Sequence, residues 1–206
     1  MLSVVIQAGG GSTRMGQDKG LRPFLGRPLI RRVIDRLAPI ADELLITTNR
    51  PADYAFLNLP LFTDLMAGRG ALGGLYTALA CAKHPAVAVA ACDMPFASPE
   101  LFQAAARILQ DEQVDVVVPQ SPEGFEPLHA VYRRETCIPA IQAAIESDQW
   151  RLVAWFEHVR VRPLTPEEVK ALDPAGLAFS NVNTPEEFAQ AEAQASGRSA
   201  PDKGRG

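Results

Sequence analysis

The residues best suited to chemistry stand together near the start of the chain, in Ser3-Val4-Val5-Ile6-Gln7-Ala8-Gly9-Gly10-Gly11-Ser12-Thr13-Arg14-Met15-Gly16-Gln17-Asp18-Lys19. A short apolar run, β-branched at its centre, reads as a buried strand that empties into a loop. That loop holds four glycines between Gly9 and Gly16, together with Arg14 and Lys19. Glycine lets backbone approach a ligand closely and turn through positive φ, so successive N–H groups converge on an anion. Two fixed cations beside them suit phosphates. The pattern predicts a strand-to-loop cradle for a triphosphate; the plainer reading is a tight turn, which seldom needs so many glycines with two cations among them.

Two common glycine motifs do not fit. A Walker loop needs Gly-x-x-x-x-Gly-Lys-Ser/Thr, and here Gln17-Asp18 follows Gly16. The dinucleotide fingerprint needs a third glycine where Arg14 stands and an acid after the second strand, where the sequence has Asn49-Arg50.

Further along, Ala86–Cys92 is apolar throughout and ends in Cys92-Asp93-Met94-Pro95. A carboxylate at the tip of a buried strand suits magnesium, which takes hard oxygens and shares its shell with phosphates; the alternative is a turn aspartate before Pro95. Asp64 ends a short strand and has the acceptors for a base edge or a ribose, or caps a turn. Asn181 and Asn183 in Ser180-Asn181-Val182-Asn183-Thr184-Pro185-Glu186-Glu187 are two apart on an extended segment, so both amides face one way. Asn183 otherwise only braces the following helix. His129 is read as a core histidine with no role, and Trp150 and Trp155 as packing residues.

The elements that must position these groups follow from periodicity. Pro28–Ile40 carries one apolar face at helical spacing, Glu43–Thr48 is a strand, and a short strand lies at 61–63. Gly68–Gly74 opens a helix running to about Lys83. Ser98-Pro99-Glu100 starts another, with Ser as N-cap and Pro at the first helical position. Val114–Val118 and Pro127–Tyr132 read as strands, Thr136–Glu146 and Arg151–Phe156 as helices, and His158–Leu164 as a half-exposed strand. Thr-Pro-Glu-Glu at 165–168 and again at 184–187 are capping boxes, read as structural. Strands alternating with helices predict an α/β fold with a mostly parallel sheet covered on both faces. Ligands then sit beyond the carboxyl ends of the strands, where Gly9–Lys19, Asn49, Asp64 and Asp93 all fall.

Composition narrows the classes. The 206 residues suffice for one substantial domain, 1–195, with a disordered tail at 196–206 rich in Gly, Ser, Arg and Lys. A net charge of −4 argues against nucleic acid and anionic membranes, yet residues 1–50 hold eight Lys/Arg against four acids, which suits an anionic ligand there. The alternative for Arg31, Arg32 and Arg36 is a solvated helix face. Three cysteines (81, 92, 137) lack zinc or redox spacing, and with no visible leader or transmembrane run the expectation is a cytoplasmic protein.

Ala8-Gly9-Gly10 with Arg14-Met15-Gly16 and Asp18-Lys19-Gly20-Leu21 resembles the signature loop of the molybdopterin nucleotidyltransferases, most of all the molybdenum cofactor guanylyltransferases. Cys92-Asp93-Met94-Pro95 matches the family's metal aspartate and Asn181–Glu186 its Asn-x-Asn-Thr-Pro-Glu element; Gln7 stands where the family has an aliphatic residue, and Ala71 where its Gly-Pro-Leu-x-Gly turn has proline. The resemblance implies a three-layer Rossmann-like nucleotidyltransferase fold, with residues to about 120 binding nucleotide and 121–195 a phosphorylated pterin. It implies nucleotide contacts at Gln7, Ala8, Gly9, Gly10, Lys19, Asn49, Asp64, Gly73 and Asp93, and pterin contacts at Arg151, Asn181 and Asn183. Arg14, Lys19 and Asp93 become the catalytic set, with Mg²⁺ on Asp93. The implied reaction moves GMP from GTP to the terminal phosphate of molybdopterin, in company with proteins of molybdenum insertion and molybdoenzyme maturation. CMP transfer from CTP, a sugar-phosphate nucleotidyltransferase and a silent nucleotide-binding scaffold are the competing readings; the Asn-x-Asn-Thr-Pro-Glu element argues against the second of these.

Overall fold

A computed structural model of the chain describes residues 1–9 and 18–197. Strand β1 (Leu2–Gln7) is followed, after the loop, by a small antiparallel hairpin of β2 (Pro23–Phe24) and β3 (Arg27–Pro28). Then come α1 (Leu29–Leu37), β4 (Glu43–Thr47), α2 (Pro51–Tyr54), β5 (Leu61–Phe62), α3 (Gly70–Cys81) and β6 (Ala86–Ala91). The second half holds α4 (Pro99–Asp111), β7 (Val116–Ser121), β8 (Gly124–Phe125), β9 (His129–Arg133), α5 (Arg134–Glu146), β10 (Val161–Leu164), α6 (Pro166–Leu172) and α7 (Pro185–Ala195).

The main sheet has the order β10-β7-β9-β6-β1-β4-β5, with β8 pairing to β7 at the side. Every pair from β6 to β5 is parallel, as is β10 with β7; β9 runs antiparallel to both its neighbours. Helices cover both faces. Val4, Ile6, Ile46, Ala88, Ala90, Val117 and Val131 point to one side, against α1 and α4. Their neighbours Val5, Leu45, Val87, Val89, Val116, Val118, Ala130 and Tyr132 point to the other, against α3 and α5. Burial on both faces is why these strands are continuous apolar runs rather than alternating ones.

Helix α1 shows how a sequence pattern serves the site. Leu29, Ile30, Val33, Ile34 and Leu37 are its buried stripe. Its arginines are not merely a solvated face: Arg32 Nε donates to the Pro95 carbonyl at 2.8 Å and Arg36 Nε to that of Ala97 at 2.7 Å. Two of the cations in the basic first quarter therefore fix the segment just after Asp93.

The structure departs from sequence expectation in several places, among them the strands predicted at 127–132 and 158–164, which begin at His129 and Val161. Residues 151–155 are turns, followed by a single 3₁₀ turn at Phe156–His158, and not a helix. The apolar spacing there is met by short-range bonds, such as Ala154 N–H to the Arg151 carbonyl and Phe156 N–H to that of Val153, which seat Trp155 in the core. Trp150 does not pack inside; it is 52% exposed. The strand predicted at 114–118 starts two residues later and runs on to Ser121, where it turns back into β8. Both Thr-Pro-Glu-Glu segments form full capping boxes, and Ser98 caps α4 by accepting from Leu101 N–H. Of the tail, residues 198–206 lie outside the described residues.

His129 is 1% exposed. Its ring stacks on Phe102 with centroids 4.0 Å apart, and Nε2 accepts from Ser98 N–H at 3.0 Å. Accepting at Nε2 requires the neutral ring, and burial, aided by the nearby Arg36 charge, pushes its pKa down to about 3. Below the ordinary histidine range the unfolded chain therefore takes up a proton that the native state refuses, so this group's share of stability falls from about pH 6.5 towards 3. Between pH 7 and 4.5 the parent should lose about 2 kcal/mol more than His129→Gln, which cannot titrate. Urea unfolding of both proteins at the two pH values measures this; identical pH dependence would show that His129 is charged in the fold.

Candidate functional site

The site begins with strand register. Gln7 is level with Thr47 on one side and with Ala91 on the other, so β1, β4 and β6 end side by side. Hydrogen bonds just past the register seal the three tips: Ala8 N–H to the Thr47 carbonyl at 2.8 Å, Cys92 N–H to that of Gln7 at 3.0 Å, and Thr48 N–H to that of Phe62 at 2.8 Å. The chain steps outward from β1 to β4 and β5, then returns to β6 on the other side of β1. Such a switch point opens a crevice beyond the carboxyl ends of the strands. Gly9 leaves β1 there with φ +120°, and its Cα faces Thr48 and the Asn49 amide. Gly10 and Arg14 lie outside the described residues.

Lys19 lies in a 3₁₀ turn, Lys19–Leu21, capped by Asp18, whose Oδ1 accepts from Gly20 N–H at 3.1 Å. Its Nζ stands 3.4 Å from Asp93 Oδ2, with the two side chains 19% and 21% exposed. The same ammonium donates to Asn183 Oδ1. Asp93 is tied to that far segment a second time, since its carbonyl accepts from Val182 N–H at 3.1 Å. Val182 is buried, packing with Phe24, Leu29, Phe96 and Phe188, while Asn181 and Asn183 on either side are exposed. Glu187, expected only to cap α7, also orients Asn183: its Oε2 accepts from Asn183 N–H at 2.6 Å and Thr184 N–H at 3.0 Å. Those donors hold its carboxyl below the usual range.

Asn49 and Asp64, from the tips of β4 and β5, grip each other. Asn49 Nδ2 donates to Asp64 Oδ2 at 2.7 Å, and Asp64 N–H donates to Asn49 Oδ1 at 3.1 Å. Among the described residues Asp64 Oδ1 takes no hydrogen bond, so one carboxylate oxygen is left to accept from a ligand.

Gly73 and Gly74, in the first turns of α3, each stand close against a neighbour. A Cβ at Gly73 would fall 2.8 Å from both the Met66 carbonyl and Arg69 Cβ, so this glycine allows the tight start of α3. Gly74 faces the Gln7 amide, with a Cβ there 3.3 Å from Oε1. Arg151 is exposed and lies beside Asp148 and Trp150, which both engage Arg69, one turn before Gly73. The structure therefore joins Lys19, Asp93 and Asn183 directly, pairs Asn49 with Asp64, and puts Arg151 beside residues that engage Arg69 at the start of α3.

Among the described residues no three metal-ligating side chains cluster. A lone carboxylate at a strand tip nevertheless fits an ion that draws most of its ligands from water and substrate phosphates. Cys92, beside it, is fully buried, and burial together with Asp93 and Asp18 drives its thiol far above the ordinary range, so it is no nucleophile here.

A family model described as the MobA-like NTP transferase domain matches residues 4–161. The chain is similar to the molybdenum cofactor guanylyltransferase of Desulfosudis oleivorans, with 37% identity over 190 residues, 92% of this chain and 93% of that one. It is 38% identical over 191 residues to the probable molybdenum cofactor guanylyltransferase of Pelotomaculum thermopropionicum, covering 93% and 92% of the two chains. Among solved structures, molybdopterin-guanine dinucleotide biosynthesis protein A from Archaeoglobus fulgidus superposes with a TM-score of 0.82 at 25% identity, over 96% of this chain and all of the other. The 4-diphosphocytidyl-2C-methyl-D-erythritol synthase of Anaerococcus prevotii shares the fold, with a TM-score of 0.68 at 12% identity over 95% of this chain and 98% of that one.

Gly20 is the site residue least visible in the sequence. A Cβ there would lie 2.8 Å from Tyr54 Oη and 3.2 Å from Cys92 Sγ, both held by buried surroundings. Gly20→Ala must therefore push the Lys19 turn away from the tip of β6. The expected result is a loss of about 1–3 kcal/mol in stability and weaker binding of nucleoside triphosphate, read by urea unfolding and calorimetric titration. A variant unchanged in both would mean that the turn moves aside freely.

Proposed function

The chain belongs to the MobA-like NTP transferase family, and from that premise we propose that it transfers GMP from GTP to the terminal phosphate of molybdopterin, releasing pyrophosphate. Residues 1–195 act as one nucleotidyltransferase domain. The observation that carries this reading is the meeting of Lys19, Asp93 and Asn183, brought from three distant parts of the chain to one point at the strand switch.

The reaction itself asks for little acid–base help. An ionised phosphate oxygen of the pterin attacks the α-phosphorus of GTP and forms the new P–O bond. The bond from that phosphorus to the oxygen bridging it to the β-phosphate breaks, and pyrophosphate leaves with the electron pair. Catalysis then rests on alignment and on neutralising charge. Lys19 would leave its pairing with Asp93 for the phosphates, and Arg14 would supply a second cation. Asp93 would hold Mg²⁺, which when bound neutralises charge on the transferring phosphate. Gln7, Ala8 and Gly9, with Gly10 beyond them, would line the base and ribose, and the Asn49–Asp64 pair would accept from the guanine edge. Gly73 would contribute by shaping the start of α3. Asn181, Asn183 and Arg151 would hold the pterin. No described helix is long and apolar enough to cross a membrane. The enzyme would work in the cytoplasm and hand its product to proteins of molybdenum insertion and molybdoenzyme maturation.

Pyrophosphate release by the full chain with molybdopterin and each nucleotide tests the reading. A carboxylate placed for guanine's N1–H and amino group is left unpaired by bases that lack those donors. GTP should exceed ATP and CTP by at least about tenfold in kcat/KM, the factor given by about 1.4 kcal/mol. Equal use of CTP would assign CMP transfer, and nucleotide binding without turnover would assign a scaffold. For Lys19→Ala the expected loss is about 2–4 kcal/mol of transition-state stabilisation. A folded variant within a few-fold of the parent in kcat/KM would remove Lys19 from the catalytic set.

A further inference from the structure

We infer that the side-chain amide of Gln7 recognises the 6-oxo group of the bound purine, and so fixes base choice; the inference rests on the guanylyl reading above and deepens it. Gln7 closes β1, paired in register with Thr47 and Ala91, and its carbonyl is engaged by Cys92 N–H. Its backbone cannot shift without disturbing three strand tips. On alternating positions Ser3, Val5 and Gln7 face α3, and the Gln7 amide lies against Gly74, where a Cβ would stand 3.3 Å from Oε1 and 3.6 Å from Nε2.

At this place in the sheet a leucine or valine would continue the apolar series. Instead there is an amide whose Nε2 is buried and, among the described residues, has no hydrogen-bond partner. Such a group lowers stability unless a ligand completes it. The orphaned donor stands at the end of β1, two residues before Gly9, where the strand tips open on the crevice. Guanine presents one acceptor, O6, followed by two donors, N1–H and the 2-amino group. The free Asp64 oxygen suits the donors, and the Gln7 amide supplies what O6 needs. Adenine presents an amino group in place of O6 and an acceptor at N1, so it meets the Asp64 oxygen with no donor and the Gln7 Nε2 with no acceptor.

The test uses the full chain and compares Gln7→Leu with the parent, titrating GTP and 6-thio-GTP, which keeps both donors and replaces O6 by a weakly accepting sulfur. The parent should bind GTP about tenfold more tightly than the thio analogue. In Gln7→Leu that ratio should fall below about threefold, while the melting temperature of the ligand-free protein stays level or rises. Gln7→Met, of similar length, supplies the same comparison should the leucine variant fold poorly. An unchanged ratio in the folded variant overturns the inference, as does a lower melting temperature with the ratio intact, which would make the amide structural. GTP binding no tighter than CTP in the parent would instead remove the guanine reading and this inference with it.

Discussion

The site depends on β1 being held in parallel register by a strand on each side. That pairing sets Gln7, Thr47 and Ala91 level, so the three following segments leave the sheet at one height and within reach of one another. A slip of one residue would turn every side chain of β1 to the opposite face. Val4 and Ile6 would then meet α3, and Val5 would meet α1, exchanging the two apolar cores. The burial of β1 on both faces makes such a slip costly, and the position of Gly9 and Asp93 follows from it.

Around that fixed centre the structure uses bonds of very different permanence. Arg32 and Arg36 reach from α1 to backbone carbonyls after Asp93, and their partners have no competing ligand. Lys19 and Asp93, by contrast, are 3.4 Å apart and one-fifth exposed. A pair of that kind contributes little, about 0–1 kcal/mol when solvent reaches it, and an incoming polyphosphate has more charge to offer. The contact can hold Lys19 in place without opposing its transfer to substrate. The bond from Val182 N–H to the Asp93 carbonyl differs again: it is a backbone tie, anchored by the apolar packing of Val182 with Phe24 and Phe188. It keeps the asparagine segment beside the metal candidate whether or not Lys19 moves.

Much of this was legible in the residues. Continuous apolar runs of strand length, alternating with amphipathic helices, predict a buried parallel sheet, because burial on both faces leaves no polar side. Gly9, Asp93 and Asn49 fall at strand ends by counting alone, and both capping boxes declare α6 and α7 because the cap is a local bond between residues three apart.

What the sequence left open is every relation between distant residues. Whether Lys19 meets Asn183, whether Arg32 faces solvent or a carbonyl, and why Gly20 and Gly74 lack side chains are settled by which surfaces pack together. The turns at 151–155 belong here too, since Trp155 fits a helix face on paper and a core pocket in the fold. Periodicity is a property of neighbours along the chain and survives in the sequence. Proximity across 74 or 164 residues, as for Lys19 with Asp93 and Asn183, exists only once the sheet and its two layers have closed, because it is the packing that selects which ends come together.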